Sequence, residues 1–193
     1  EPENTLVMVG MLDGTGLEQI ITFDHTEHPP TLNGRQTVQD KLDKTTLLVA
    51  HNAAHDLMWL WESGFTYNGE VFDTMLGEYI LQRGQKEPLS LEACAERHQL
   101  HTKKQDTLKE YFKQGLNVSE IPHDELSEYL SADLHATQQL FRHQDRQYTY
   151  GTGRTLVDTI RLTNQLAVHL ARIYQRGFKV DLTVLEEVRK EFE

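Results

Sequence analysis

Residues 47–60 change partway from the pattern of a β-strand to that of an α-helix. Residues 45–50 are apolar or β-branched, which predicts a short buried strand. From residue 57 onward, leucine and tryptophan recur three to four positions apart, the spacing of the buried face of a helix. Asn52 and Asp56 lie at the change. Because α/β proteins place binding and catalytic groups where a strand ends and a helix begins, this junction predicts a functional site.

The remaining segments predict a few strands followed mainly by helices. Apolar runs at 6–12 and 20–23 flank the turn sequence of residues 13–16, which predicts an antiparallel hairpin. A further strand is predicted at 71–75. Outside the opening segment, helices are predicted at residues 36–42, 76–83, 90–98, 107–115, 124–147, 155–176 and 182–192. This order predicts an α/β fold with a mixed sheet flanked by helices.

The chain has one predicted domain boundary. Residues 148–154 form a break that contains glycine and threonine between two long helical patterns. Residues 1–148 would form the α/β domain. Residues 149–193 would form a helical connection that leads into a further domain.

Charge and composition narrow the classes of function. The chain of 193 residues has a formal net charge of −11, whereas modules that bind duplex DNA by neutralising phosphates are usually basic. The charge is compatible with an enzyme that handles phosphodiesters through bound cations. No run of 18 apolar residues occurs and residues 1–4 do not resemble a signal peptide, which predicts a soluble, cytoplasmic protein without a membrane partner. The single cysteine, Cys94, excludes an intramolecular disulfide.

Two pairs of polar residues have the spacing of one helical turn. Asn52 and Asp56 are four residues apart, and Tyr129 and Asp133 repeat this spacing in the helix predicted at 124–147. Two carboxylates on two helices, each with a hydrogen-bonding companion, can converge on divalent cations. Their oxygens favour Mg²⁺ or Mn²⁺. Two such ions can activate a water molecule and stabilise the leaving oxygen of a phosphodiester.

Each pair also has a simpler explanation. An aspartate at a helix start more often caps the helix than binds a metal, and a tyrosine and an aspartate four apart are usually solvated. His51 and His55 offer a rival, because His-x-x-x-His is the spacing of a zinc-binding helix. Two features count against zinc. Asn52 replaces the usual general-base glutamate, and His51 is predicted at a strand end, so the two rings would not share a helical face.

Residues 51–60, His-Asn-Ala-Ala-His-Asp-Leu-Met-Trp-Leu, resemble the second exonuclease motif of family A DNA polymerases, the DNA polymerase I type. In that motif three residues separate an asparagine from an aspartate, and an aromatic residue often precedes the aspartate. His55 takes the aromatic place, as in phage-type enzymes. Tyr129 and Asp133 resemble the third motif, in the tyrosine-containing branch of the DEDD 3′–5′ exonucleases. Further similarity is found at residues 72–75, 89–91 and 177–192.

The resemblance implies a role for each residue of the two motifs. Asp133 would bind a catalytic metal directly, and Asp56 would hold the second metal through water. Tyr129 would orient the attacking water. Asn52 would contact the DNA end or support the metal ligands, and His55 would contact the DNA end. The cofactor implied is Mg²⁺ or Mn²⁺.

The resemblance also implies a ribonuclease H-like fold and a proofreading function. The reaction would be two-metal hydrolysis of single-stranded DNA ends in the 3′–5′ direction, releasing nucleoside monophosphates. The implied partners are a single-stranded or primer–template 3′ end and a polymerase domain in the same parent chain, in a bacterial or phage-infected cell. An alternative is a non-catalytic, exonuclease-like scaffold that positions DNA or a partner. A stand-alone ribonuclease is disfavoured because residues 155–193 resemble a lead into a further domain.

The chain departs from the family pattern at the first motif. An Asp-x-Glu on the central strand should precede the hairpin, and no such pair occurs in the sequence. Three explanations are open: the chain is a piece of a longer one, another chain supplies the strand, or the exonuclease is degenerate. The first is favoured because the chain also stops within a predicted helix. If the folded molecule lacks the strand, we expect weak metal binding and little activity.

Overall fold

The computed structural model describes residues 5–100 and 106–192, without the side chains of residues 106 and 107. The strands are β1 (Met8–Leu12), β2 (Glu18–Thr22), β3 (Leu47–Ala50) and β4 (Glu70–Asp73). The α-helices are α1 (Gly34–Lys44), α2 (Ala53–Glu62), α3 (Thr74–Leu81), α4 (Leu91–Arg97), α5 (Asp106–Lys113), α6 (His123–Tyr150), α7 (Val157–Arg176) and α8 (Leu182–Phe192). Short 3₁₀ helices lie at Val118–Glu120 and Arg154–Leu156. The fold is a helix-rich α/β arrangement.

The strands of the described residues form two small sheets. β1 and β2 pair antiparallel, and β3 and β4 pair parallel, with Ala50 opposite Asp73. The prediction of one mixed sheet therefore differs from the structure, in which no described strand joins β1 to β3. Both sheets contact α6 instead. The long helix supplies the connection that a continuous sheet would otherwise make.

The predicted hairpin is confirmed, and Asp13 organises its turn. The Asp13 carboxylate accepts hydrogen bonds from the backbone N–H groups of Thr15 and Leu17, at 2.9 and 3.1 Å, and from the Thr15 hydroxyl at 2.6 Å. Lys41 of α1 lies 3.2 Å from the same carboxylate. These bonds, above all those from Thr15, hold the pKa of Asp13 well below its usual range. Asp13 is therefore a turn residue.

A glycine allows α6 to lie close to the hairpin. A Cβ atom on Gly10 of β1 would lie 2.8 Å from side-chain atoms of both Leu130 and Leu134 of α6. Because real Cβ contacts are longer than this, any side chain at position 10 would push the helix outward. Gly10 thereby fixes the approach of the helix that carries Tyr129 and Asp133.

A buried carboxylate joins α3, α4 and α6. Glu78 accepts hydrogen bonds from Arg97 at 2.9 Å, His98 at 2.9 Å and Gln144 at 3.1 Å. Burial opposes ionisation of Glu78, but these donors, led by His98, lower its pKa overall. A buried charge with this many donors stabilises one arrangement of the three helices. The Ser90 side chain caps α4 by accepting a hydrogen bond from the N–H of Ala93.

The helix α6 continues through the predicted boundary between residues 148 and 149. It ends at Tyr150, and the Tyr148 hydroxyl donates a hydrogen bond of 2.9 Å to the Gly77 carbonyl of α3. The following helix, α7, packs against α2. The division of the chain into two domains stays a prediction. No helix in the described part of the chain is both long enough and apolar enough to cross a membrane.

Candidate active site

Two strand-to-helix junctions meet at the C-terminal ends of the parallel strands. The carboxylate of Asp73, at the end of β4, accepts N–H bonds from Met75 and Leu76 of α3 at 2.9 and 3.3 Å. It also accepts the N–H groups of Asn52 and Ala53 at the start of α2, at 3.0 and 2.9 Å. One buried carboxylate thus satisfies free donors of two helices. The positive ends of both helix dipoles favour its negative charge.

Asn52 lies just outside α2. It is the N-cap residue in the left-handed conformation, with φ 67°, and its exposed side chain makes no cap hydrogen bond. The expectation that Asn52 and Asp56 share a helical face is therefore wrong, because the helix begins at Ala53. Asparagine tolerates the left-handed region better than most residues, which explains its presence at this turn. Its predicted contact with the DNA end stays a prediction.

Asp56 lies in the first turn of α2, and its environment disfavours ionisation. Protein atoms around the carboxyl group and the negative charge of Asp73 raise its pKa to about 7. Because the side chain of Asp56 is exposed to water, we attribute its raised pKa mainly to repulsion from Asp73. A cation bound beside this carboxyl group would favour its ionised form.

His51 connects the junction to the segment that precedes α4. Its Nε2 donates a 2.8 Å hydrogen bond to the Leu89 carbonyl, and its Nδ1 lies 2.9 Å from the Thr74 hydroxyl. Burial lowers the pKa of His51 overall, despite the opposing influence of nearby carboxylates. Because both ring nitrogens have partners, His51 holds the turn together. The zinc alternative would need this ring to leave those partners.

His55 lies apart from His51 on the surface of α2. Its side chain is exposed, and its ring lies edge-on to Trp59 with 6.4 Å between ring centroids. The predicted contact of His55 with substrate is sterically open and stays a prediction.

The second pair lies on α6 with the spacing that the sequence predicts. The Tyr129 hydroxyl donates a hydrogen bond to the carboxylate of Asp133, one turn further along the helix. Burial, followed by the charge and hydrogen bond of Asp133, raises the pKa of Tyr129, and Glu92 of α4 adds to the effect. Tyr129 is therefore a neutral hydrogen-bond donor held beside a carboxylate.

Charges from both halves of the candidate site act on His51. The charge of Asp133 acts on His51 with that of Asp73, so the α6 pair lies within electrostatic reach of the β3–α2 junction. Asp56 in turn responds to Asp73. Within residues 5–100 and 106–192, however, no three His, Cys, Asp or Glu side chains form a group that could hold a metal ion. Asp56 and Asp133 offer suitable oxygen donors for Mg²⁺ or Mn²⁺ but form an incomplete set.

Sequence reasoning missed two acidic residues near the site. Asp73 is 1% exposed and orders both junctions. The predicted strand at 71–75 places Asp73 in its middle, whereas β4 ends at Asp73. Glu92 acts on Tyr129 from the first turn of α4, a contact across 37 residues of sequence that no local pattern indicates.

The fold and these groups define a class: an α/β protein with an acidic site at the C-terminal ends of parallel strands, bordered by a long helix. A family model described as a 3′–5′ exonuclease, that of the family A DNA polymerases, matches residues 18–147. The chain belongs to this family of exonuclease domains, and the matched range includes both motifs. The family is one of hydrolases. Neither the curated proteins nor the solved structures contain a match to the chain.

Proposed function

We propose that the chain is the proofreading part of a family A DNA polymerase, which removes nucleotides from single-stranded 3′ ends by two-metal hydrolysis. The observation that carries this proposal is the contact of α6, which holds Tyr129 and Asp133, with β3, which leads into the turn of Asn52. The family match over residues 18–147 supports the same reaction class. The proposed setting is the cytoplasm of a bacterial or phage-infected cell, with a polymerase domain in the same parent chain.

Each motif residue has a part in the proposed reaction. Asp133 and Asp56 would hold Mg²⁺ or Mn²⁺, and such ions activate water and stabilise a leaving oxygen when bound. Tyr129 would orient the attacking water through its hydroxyl, which Asp133 already holds in one direction. Asn52 and His55, both exposed beside the junction, would contact the terminal nucleotide.

A strand with an Asp-x-Glu pair would complete the proposed site. In the described residues β1 pairs only with β2, and β3 only with β4, so each sheet has an edge without a neighbouring strand. A strand between β1 and β3 would join the two sheets into the mixed sheet that the resemblance implies. It would also add the carboxylates that the metal site lacks.

The experiment is a 3′–5′ hydrolysis assay on single-stranded DNA with a longer chain that includes the Asp-x-Glu strand and the polymerase domain. Asp133→Ala should reduce hydrolysis at least a hundredfold and leave nucleotide addition unchanged. Asp145→Ala, which removes an exposed carboxylate from the same helix, is the matched control and should retain both activities. Full hydrolysis by the Asp133 variant would refute the assignment.

The incomplete set of metal ligands in the described residues favours a second candidate. A non-catalytic scaffold with an exonuclease-like fold would position DNA or a partner and would not need a complete metal site. The same assay separates the two proposals, because a scaffold would show no hydrolysis that depends on Asp133.

A further inference from the structure

A cleft of about 530 Å³ lies between the end of α2 and the end of α7, away from the candidate active site. Trp61 and Tyr67 contribute aromatic surface to its lining, and Arg172 and Arg176 contribute positive charge. The guanidinium of Arg172 lies over the ring of Trp61, 5.3 Å from its centroid. Because α2 packs against α7, the cleft has two helical walls.

The positive charge of the cleft contrasts with the acidic chain. The chain carries a formal net charge of −11, yet α7 has three arginines and a single acidic residue, Asp158. In the part of the chain that the structure describes, neither Arg172 nor Arg176 makes an ion pair. The carboxylate of Glu62, also in the cleft, accepts a hydrogen bond from Gln175 at 3.2 Å. Two arginines therefore face the cleft with their charge available to an anion.

Two other arginines differ in this respect because they have carboxylate partners. Arg97 pairs with the buried Glu78, and Arg189 pairs with Glu186 in α8. Their charge is used within the fold. Arg172 and Arg176 lie one helical turn apart, about 6 Å along the axis, so both can contact one extended anionic ligand.

We propose that this cleft binds the sugar-phosphate backbone of single-stranded DNA. Two arginines one helical turn apart suit this ligand, since guanidinium groups pair with phosphates. The ligand's identity rests on the proposed function. Trp61 lies five residues beyond Asp56 on α2, about 7.5 Å along the axis and about 140° around it. The cleft therefore opens on another side of α2 and binds the strand some distance from its reacting 3′ end.

The test measures binding without hydrolysis. A 16-nucleotide oligothymidylate with a 5′ fluorophore is titrated with the chain in EDTA, and anisotropy is followed at several salt concentrations. The double variant Arg172→Gln/Arg176→Gln should bind about tenfold more weakly. Its plot of log affinity against log salt should be less steep by about 1.4, because each lost phosphate contact in a single strand contributes about 0.7. Arg142→Gln, an exposed arginine on α6, is the matched control and should behave as wild type.

Two results would overturn the inference: equal affinity and slope for the double variant and wild type, or an equal loss in the Arg142 control. A second readout does not depend on the double variant folding. In a Trp59→Phe chain, saturation with the oligonucleotide should change the emission of Trp61, and no change would also overturn it. Because EDTA prevents hydrolysis, a failure of the proposed reaction leaves this binding result interpretable.

Discussion

Two neighbouring carboxyl groups, Asp56 and Asp73, have opposite environments. Asp73 is buried but accepts four backbone N–H groups, so its charge is stabilised by donors from two helices. Asp56 is exposed, yet it lies close enough to Asp73 for that fixed charge to raise its pKa. Asp73 orders the junction, whereas the junction alone does not stabilise the charge of Asp56.

The raised pKa of Asp56 predicts a pH-dependent effect of its replacement. Below about pH 4 this carboxyl group is protonated in both the folded and unfolded states. As pH rises through its folded pKa of about 7, the folded chain must ionise Asp56 beside Asp73, and stability is lost. The Tm difference between Asp56→Asn and wild type, measured in EDTA at pH 4, is therefore the reference. At pH 8 the Tm of the variant relative to wild type should be higher than this reference by about 2 to 4 °C, which corresponds to about 1 kcal/mol after allowance for solvent screening.

Thermal unfolding between pH 4 and pH 8 checks this expectation. Asp145→Asn, which replaces an exposed carboxylate on α6, controls for the loss of one negative charge. A Tm difference for Asp56→Asn that does not change with pH would contradict the assigned environment.

Among the secondary-structure elements, the junctions depend on contacts that sequence patterns do not contain. The hairpin follows from two apolar runs and the turn around Asp13, because hairpin signals are local. The Asp133 spacing was predictable for the same reason, since residues four apart adjoin on a helix. The left-handed position of Asn52 was missed, because four-residue spacing is uninformative where the helix has not begun. The bond from His51 to Leu89 spans 38 residues and depends on tertiary folding.

The capping of two helices by one carboxylate predicts an unusually large loss of stability. Asp73→Ala would leave the N–H groups at the starts of α2 and α3 without their acceptor. The loss should be about 3 kcal/mol, from one helix cap and further charge-assisted bonds. Ser90→Ala, which removes a single cap bond from α4, should lose only about 1 kcal/mol.

Urea unfolding at pH 5 separates these two variants, because relief of the repulsion between Asp56 and Asp73 offsets less of the loss there than at neutral pH. A loss for Asp73→Ala no greater than that for Ser90→Ala would show that the shared cap contributes little.

On the scale of the whole molecule, α6 joins the two small sheets and carries half of the candidate site. Gly10 sets its distance from the hairpin, and the Glu78 network sets its position against α3 and α4. The strands and the hairpin pairing were predicted, but the single mixed sheet differs from the structure, in which the described strands form two separate sheets. The family match shows the exonuclease domain without depending on that strand.

The last two helices have an apolar surface that the described residues do not cover. Four side chains of α7 at helical spacing are exposed, and α8 has no buried residue. The exposed apolar residues of α7 in this stripe are Leu162, Leu166, Leu170 and Ile173. A further domain in the same parent chain, as proposed, would explain this surface.

In the proposed site, Asp56 of α2 and Asp133 of α6 supply two carboxylates to one metal site. The most direct test is a Mn²⁺ titration of residues 1–193, followed by electron paramagnetic resonance, with the wild type, Asp56→Asn and Asp133→Asn. Because the site has only two of its carboxylates, we expect a single weak binding event that either substitution abolishes. Tight binding of two ions by the wild type, or weak binding that survives both substitutions, would contradict it.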